Sequence, residues 1–455
     1  MLKVLATLIY VAIIVWLFYQ DHRRRPQCSK ALWIPVIWLF LLGSHPLSFW
    51  FGIHSGGTDL DGNSFDRLFY SGMIAVSCAI IFRRRLVLRQ VISANKSIFL
   101  FYLLLALTIL WADLPYVTLK RWLKETGGLF VILVILTEQH PTDAIEAVFH
   151  RCAYVLIPLS VIFIKYVPSM GRVMDHTGNP QYVGVTNQKN SLGEMVLAFC
   201  IVILWSMLRP NENGERKKLK ELAWPSLIIL MGFWLLYMSD SKTSIVCLAA
   251  ASLILLSHKL TFLRARPRFS LGFFLGALPL FILLQNIPAI SDPIFRMLGR
   301  NATLTNRTEI WHVVRDHPVN PLIGCGYLMY WDINRTVQVG QYESTLKTIH
   351  NGYLEIYLDA GYLGLAVLFF MLICLGARAA KAYLEDSDSG RLLLAVFVAT
   401  LMFNLTESIY ARRGPLWFTF LLVCIGGSSL FRDSLAEPLP EEEHMGQESL
   451  EVPVT

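Results

Sequence analysis

Charge is scarce in this sequence, and so is any long polar stretch that could fold by itself in water. Only 16% of its 455 residues are Asp, Glu, Lys or Arg, whereas 55% are hydrophobic and the mean hydropathy is +0.50. Soluble domains carry about 25% charged residues, so this composition excludes an ordinary soluble protein. Apolar runs long enough to cross a hydrocarbon core recur along the chain, and their continuity favours helices. We predict an all-α polytopic membrane protein with about 12 to 13 transmembrane helices and one large periplasmic loop.

A disulfide framework, a metal cluster and a nucleic-acid surface are also missing. Six of the eight cysteines fall in or at the edge of apolar runs, which favours neither disulfides nor thiolate metal ligands. Asp59 and Asp61 resemble a metal-binding DxD pair, but a polar turn rich in glycine and aspartate produces such pairs by chance. The net charge of +7 comes from short basic clusters between apolar runs, not from one basic face. We therefore expect no metal, no cofactor and no nucleic-acid partner.

The basic clusters predict how the chain crosses the membrane. We expect about thirteen spans, beginning near residues 2, 31, 68, 98, 121, 152, 191, 223, 242, 269, 352, 392 and 416. Lys and Arg concentrate in alternate loops, at residues 23–30, 83–96, 209–220, 259–268 and 378–391. These loops share one side, which the positive-inside rule assigns to the cytoplasm. The first span precedes such a cluster and is expected to be an anchor rather than a removed signal.

The same pattern divides the chain into two parts. Residues 1–431 are predicted to form one multi-span membrane domain, whose loops 54–67, 168–190 and 290–350 face the periplasm. Residues 432–455 are acidic, contain proline and are poor in aromatics. We expect this last segment to be a disordered cytoplasmic tail.

The longest loop carries a row of arginines. Arg300, Arg307, Trp311 and Arg315 follow each other at spacings of seven, four and four, which places them on one face if the segment is helical. Guanidinium groups donate bidentate, charge-assisted hydrogen bonds to phosphate, so the row predicts an anion clamp. The alternative is that these side chains anchor the loop to lipid headgroups.

The loop 168–190 adds Arg172 and leads into a polar helix start. Asn187, Asn190 and Glu194 are three and four residues apart and share one face there. A helix amino terminus also favours anions. The alternative is that Asn187 or Asn190 simply caps the helix.

Three further polar residues stand near external helix ends. His350 lies at the mouth of the span that follows the long loop, and Glu355 lies one turn deeper. A carboxylate inside a span is expensive and is functional by default, whereas a lone histidine could be a capping or interfacial residue. Lys242 begins another span, where a lysine that extends to the interface would be ordinary.

Several motifs resemble the superfamily of O-antigen ligases and Wzy-type exopolysaccharide polymerases. The segment HNGYLEIYLDAGYLGL (350–365) is similar to the family's signature at the end of its large periplasmic loop. NRTEIW followed by PLIGCGY resembles the family's G-R-T-x-x-W and P-x-x-G-x-G pair, with Asn306 in place of the usual glycine. GVTNQKNSLG resembles its H-K-N-x-L-G element, with Gln188 in place of the histidine. DGNSFDR, WADLPYVTLKR and SDSKTS resemble lesser elements, the last with Lys242 where arginine is common.

This resemblance implies a membrane glycosyltransferase of the bacterial inner membrane, with its active site facing the periplasm. Its donor would be a glycan on undecaprenyl diphosphate and its acceptor a glycan or a lipid, and the transfer would be metal-independent and inverting. Arg172 and Arg307 would hold the diphosphate, with Arg300 as an alternative to either, and His350 would be the catalytic base. The supporting polar residues would be Asn187, Asn190, Glu194, Lys242, Asn351 and Glu355.

Elementary chemistry agrees with these roles. The leaving diphosphate needs cationic groups or a metal to stabilise its charge, and an imidazole can take a hydroxyl proton near neutral pH.

Three activities remain to be compared. We favour a polymerase over a ligase that attaches glycan to lipid A core. A transporter or flippase of lipid-linked oligosaccharide would place its polar groups near the bilayer midplane, whereas these lie on one side. The buried carboxylates argue against a mere scaffold.

Overall fold

The computed structural model describes residues 2–53, 63–174, 178–210, 217–285, 318–331 and 349–428. Helices dominate these ranges, which confirms the predicted all-α fold class. They are α1 (Leu2–Arg24), α2 (Trp33–Leu42), α3 (Leu47–Trp50), α4 (Ser64–Arg83), α5 (Leu88–Ala94), α6 (Lys96–Leu107), α7 (Pro115–Leu136), α8 (Pro141–Tyr166), α9 (Pro168–Gly171), α10 (Lys189–Leu208), α11 (Leu219–Ser239), α12 (Lys242–Leu256), α13 (Thr261–Ala265), α14 (Pro267–Gln285), α15 (Gly352–Leu384), α16 (Asp388–Phe403) and α17 (Pro415–Gly426). Two short 3-10 helices occupy Lys30–Leu32 and Thr108–Leu110. Two strands, β1 (Arg172–Met174) and β2 (Pro180–Tyr182), form an antiparallel hairpin.

Within the described ranges, five helices are long and apolar enough to cross a membrane, namely α4, α8, α10, α11 and α15. A sixth crossing is possible by length and composition if α5 and α6, which meet at an angle of 99°, count as one broken span. Shorter apolar helices occupy Thr7–Asp21, Lys30–Leu42, Lys242–Leu256 and Pro415–Gly426. The result is a multi-span membrane protein in which short helices lie among full-length ones.

Helix α8 begins earlier than the hydropathy predicted. Its span was expected from about residue 152, but the helix starts at Pro141. The extra turns carry charges that hydropathy counts against a span, yet those charges are paired inside the protein. Arg25 donates to Glu146 at 2.8 Å, and Arg151 donates to Asp21 at 2.7 Å. Ion pairing between helices therefore lengthens a helix that its own composition would have ended.

The interior and the periphery of the bundle use apolar residues differently. Every residue of α17 is buried, as are most residues of α10 and α16. Helices nearer the periphery expose large apolar side chains, for example Leu68 at 76%, Leu230 at 64% and Ile373 at 71%. Exposed apolar surface of this extent suits lipid contact rather than water.

Helix α15 is interrupted at Gly361, whose φ of 65° and ψ of −159° lie outside the helical region. This backbone conformation is essentially restricted to glycine. Residues 318–331, here called the docking segment, pack against this break. Their main-chain groups form hydrogen bonds with main-chain groups of α15. Cys325 N donates to Leu358 O at 2.9 Å, and Gly326 N donates to Asp359 O at 3.0 Å.

The same segment also accepts hydrogen bonds from the main-chain N–H groups of α15 that follow the break. Tyr362 N donates to Pro321 O at 2.8 Å, and Leu363 N donates to Leu322 O at 3.1 Å. In addition, Leu328 N donates to the carboxylate of Asp359 at 2.9 Å. The docking segment is thus joined to α15 chiefly through main-chain hydrogen bonds.

Candidate functional site

A cavity of about 520 Å³ opens at the end of the bundle where α10, α15 and α17 begin. We call it the His350 cavity. Its wall also includes residues 404–414, the α16–α17 loop, which joins two buried helices. The polar side chains that line it include Asn187, Gln188, Asn190, Glu194, His350, Glu407, Arg412 and Arg413.

His350 immediately precedes α15 and has a φ of 54°, a left-handed conformation in which His, Asn and Asp are enriched among non-glycine residues. Its Nδ1 lies 2.8 Å from Oε2 of Glu407. His350 is not the helix cap. That role belongs to Asn351, whose Oδ1 accepts from Tyr353 N and Leu354 N at 3.1 Å each. Asn351 therefore caps α15, and His350 lies directly before that cap.

Glu407 connects two residues that the sequence analysis had singled out separately. Its Oε2 contacts His350, while its Oε1 accepts from Asn190 Nδ2 at 2.8 Å. The main chain of the same residue is also fixed, because Glu407 O accepts from Gly352 N at 2.9 Å. A carboxylate held at both ends in this way fixes the plane and the tautomer of a neighbouring imidazole.

Asn404 shapes the α16–α17 loop around this carboxylate. Its Oδ1 accepts from Ile409 N at 3.0 Å and from Tyr410 N at 3.2 Å, and its Nδ2 donates to Thr400 O at 2.8 Å. Its own carbonyl accepts from Gly352 N at 2.9 Å. The loop is therefore a compact turn that is hydrogen-bonded to the start of α15.

Two adjacent arginines complete the wall. Arg412 Nη2 donates to Glu355 Oε2 at 2.6 Å, and Ile349 N donates to the other oxygen of that carboxylate at 2.8 Å. Burial lowers the pKa of Arg412, but the nearby carboxylates of Glu355 and Asp359 outweigh it and leave this pKa raised. Arg412 is therefore a permanent cation.

Arg413 is exposed and lies 5.2 Å from the centre of the Tyr70 ring. Tyr70 belongs to α4 and also lines the cavity. A cation–π contact of this kind orients a guanidinium while it leaves the donors at the edge accessible. Arg413 is thus a second guanidinium at the same cavity.

Glu194 lies on the α17 side of the cavity. Its Oε1 accepts from Leu416 N at 3.2 Å. A Cβ at Gly414 would overlap the same carboxylate, so the glycine allows the loop to approach α10 closely. Asn187 lies at the cavity wall, one residue before the cap of α10.

The capping role considered for Asn187 and Asn190 is wrong. The residue at the cap position of α10 is Gln188, and its side chain makes no capping hydrogen bond. Asn190 lies inside the helix and donates to Glu407 instead. The amide of Asn190 therefore forms a hydrogen bond with another part of the bundle and not with the start of its own helix.

The structure places two other predicted residues away from the lining of this cavity. Arg172 donates from Nε and Nη2 to Ile164 O at 3.1 and 2.8 Å and lies 5.3 Å from the centre of the Tyr182 ring. Lys242 pairs with Asp240 at 2.8 Å. Their predicted parts in substrate binding stay predictions.

Several further predictions lie outside the described residues. These are the assignments for Arg300, Arg307, Trp311 and Arg315, the DxD pair Asp59 and Asp61, most of the loop 290–350, and the tail 432–455. In the described part of the chain, no group of three or more His, Cys, Asp and Glu side chains is arranged to hold a metal ion.

The sequence analysis missed Glu407, Arg412 and Arg413. One signal could have found the arginines. The alternation of basic clusters predicts that the α16–α17 loop is external, so a pair of arginines there departs from the positive-inside rule. A departure of this kind indicates that the charges serve a function and do not set the orientation of the helices. Glu407 has no comparable local signal.

The fold and the cavity define a multi-span membrane protein with an imidazole–carboxylate pair at one end of its helix bundle. Residues 227–369 match the O-Antigen ligase family. The chain is also similar to the exopolysaccharide production protein ExoQ of Rhizobium meliloti (strain 1021), with 24% identity over 324 residues that cover 67% of this chain and 70% of that protein. These findings confirm the predicted resemblance to the superfamily of O-antigen ligases and polymerases.

Proposed function

We propose that this protein transfers a glycan from an undecaprenyl diphosphate donor to a hydroxyl group of an acceptor, at the periplasmic face of a bacterial inner membrane. The observation that carries the proposal is the pair formed by His350 and Glu407, 2.8 Å apart in a polar cavity at the end of the bundle. The match to the O-Antigen ligase family supports a glycan substrate.

The geometry suggests how the step would run. With the Nδ1 proton of His350 directed to Glu407, Nε2 is the nitrogen that takes the proton from the acceptor hydroxyl. The acceptor oxygen then attacks the anomeric carbon, a new glycosidic bond forms, and the bond from that carbon to the diphosphate oxygen breaks. Attack opposite the leaving group inverts the anomeric configuration. The products are the extended glycan and undecaprenyl diphosphate.

The leaving diphosphate carries away negative charge that the site must stabilise. The residues assigned to it from the family resemblance are Arg172, Arg300 and Arg307. We add Arg413, because it is exposed and lines the cavity that contains His350. Arg412 is paired with Glu355 at 2.6 Å and contributes its field rather than a direct contact. With cationic side chains in this role, the transfer would not require a metal.

Polymerase and ligase activities are both supported by an observation. The similarity to an exopolysaccharide production protein favours a polymerase, which uses a second lipid-linked glycan as acceptor. The match to the O-Antigen ligase family favours a ligase, which uses the lipid A core. A transporter is less well supported, because the cavity lies where helices begin rather than near their middle.

Purified protein supplied only with undecaprenyl diphosphate repeat units should produce a ladder of longer lipid-linked glycans on a gel, and EDTA should not slow it. Product formation only after lipid A core is added would identify a ligase instead. Loss of activity with EDTA, restored by a divalent cation, would contradict metal independence. Absence of transfer to either acceptor, with donor moved across the membrane, would favour the transporter.

Replacing Glu407 with Gln should lower the turnover number about 10- to 100-fold, because residues that orient a functional imidazole typically contribute that much. The KM for the lipid-linked donor should stay near the wild-type value, since Glu407 is not assigned to the diphosphate. Initial rates at several donor concentrations separate these two effects.

The matched control is Thr406→Ala, which removes a hydrogen bond of 2.6 Å to Thr243 from the same loop. It leaves the His350 contact in place and should keep most of the turnover. Equal losses in the two variants would mean that loop packing, rather than orientation of the imidazole, explains the effect of Glu407.

A further inference from the structure

A second cavity, of about 550 Å³, lies at the opposite end of α10 from the His350 cavity. Glu194 of α10 lines the first cavity and Ser206 lines the second. Their separation along the helix is about 18 Å, at 1.5 Å per residue. We call the second space the Glu146 cavity. Nothing in the proposed transfer reaction uses it.

One buried carboxylate on its inner wall faces three cations. Glu146 accepts from Arg25 at 2.8 Å, from Arg209 at 3.1 Å and from Lys217 at 3.4 Å. Arg209 also lies 3.4 Å from Asp143. Burial lowers the pKa of Lys217, with Arg25 and Arg209 acting in the same direction and Glu146 opposing them. Asp21, which pairs with Arg25 and with Arg151, also lines the cavity, so the carboxylates of the inner wall balance its cations.

The excess positive charge lies at the mouth of the cavity. Arg23 and Arg24 line it and are exposed. Arg23 lies 5.4 Å from the centre of the Tyr19 ring. In the part of the chain that the structure describes, neither arginine forms an ion pair. Their charges are thus available to an anion from outside the protein.

The surroundings of the mouth favour an amphiphilic anion. Trp16 and Trp224 both line the cavity, with ring centres 5.3 Å apart, and tryptophan is enriched at the level of lipid headgroups. Along the same two helices, the side chains of Val15 on α1 and Leu230 on α11 are 63% and 64% exposed. A charged group could occupy the cavity while acyl chains lie along these apolar faces.

We propose that the Glu146 cavity binds the phosphate headgroup of an anionic phospholipid from the adjacent leaflet. Arg23 and Arg24, the cations at the mouth that form no ion pair within the described residues, contact the phosphate. The cavity is within the range of 300–1,000 Å³ that is typical of small-molecule sites. Trp16 and Trp224 flank the glycerol region.

The test uses the purified full-length protein and native mass spectrometry, with phosphatidylglycerol and phosphatidylcholine as probes. Wild-type protein should retain phosphatidylglycerol in preference to phosphatidylcholine. The double variant Arg23→Gln, Arg24→Gln should retain it roughly 10- to 30-fold less well, since each basic residue near an anionic leaflet contributes to binding. The double variant Lys259→Gln, Arg264→Gln removes two exposed cations at another basic loop and should behave like wild type.

Two results would overturn the proposal. Equal retention of phosphatidylglycerol by both double variants would show that the lipid binds elsewhere. If soluble glycerol phosphate displaced the lipid at equal concentration, a free phosphate compound rather than a phospholipid would be the ligand of this cavity.

Discussion

His350→Asn should lose about 10² to 10⁴ in glycan transfer rate, the usual contribution of a positioned general base. Asparagine is the informative replacement because it accepts the left-handed backbone of this position, where φ is 54°. Its amide can also hydrogen-bond to Glu407, yet it cannot take a proton near neutral pH. The loss should therefore appear in turnover, measured with saturating donor, while the protein still inserts and binds lipid-linked donor.

A helix cap away from the His350 cavity provides the control for folding. Ser387→Asn replaces one good cap of α16 by another and should leave transfer nearly unchanged. If His350→Asn transfers glycan as fast as the parent, the assignment of the base is wrong. Glu194 and Glu355, which lie at or next to the same cavity, would then be the residues to test.

Gly361→Ala should destabilise the protein by about 3 kcal/mol or more, the largest structural effect that we expect from one methyl group. Two costs add at this position. The φ of 65° with ψ of −159° is hostile to any residue that has a Cβ. A Cβ there would also overlap the main chain of the docking segment at Leu322 and Ile323. The measurement is the thermal unfolding midpoint of purified protein in one detergent.

Gly72 is the matched control because it lies in the interior of α4 with nothing within 4 Å of its would-be Cβ. Gly72→Ala should be neutral or should stabilise by up to about 1 kcal/mol, since alanine is the better helix former. An unfolding midpoint for Gly361→Ala that equals that of Gly72→Ala would show that the break in α15 is not fixed by the glycine.

Hydropathy predicted where most helices lie, because the apolar runs themselves determine where backbone groups must be satisfied internally. Hydropathy placed the start of α8 too late, because it counts every charged residue against a span even when another helix neutralises that charge. Arg25 and Glu146 are far apart in sequence but 2.8 Å apart in the bundle. The same limit applies to the broken helix α15, where Gly361 gave no hydropathy signal.

The candidate site was predictable in part for the same reason. Asn190, Glu194 and His350 were found because each stands in a polar pattern at a helix start. The structure brings all three to one cavity. Glu407 was missed because its meaning comes from partners that are 217 and 57 residues away, Asn190 and His350. A short loop between two short helices offers no periodicity from which such pairing could be inferred.

The docking segment has a consequence for how this protein can change over time. Its attachment to α15 is made mostly by main-chain atoms, from Pro321 and Leu322 on one side of Gly361 to Cys325 and Gly326 on the other. Main-chain atoms are the same for nearly every amino acid, so the attachment tolerates replacement of the segment's side chains at positions other than its glycines. Gly324, Gly326 and Gly361 must be kept, because each has a positive φ and a Cβ there would overlap neighbouring atoms. Most side chains of the segment can therefore change in evolution without disturbing the helix that begins beside His350.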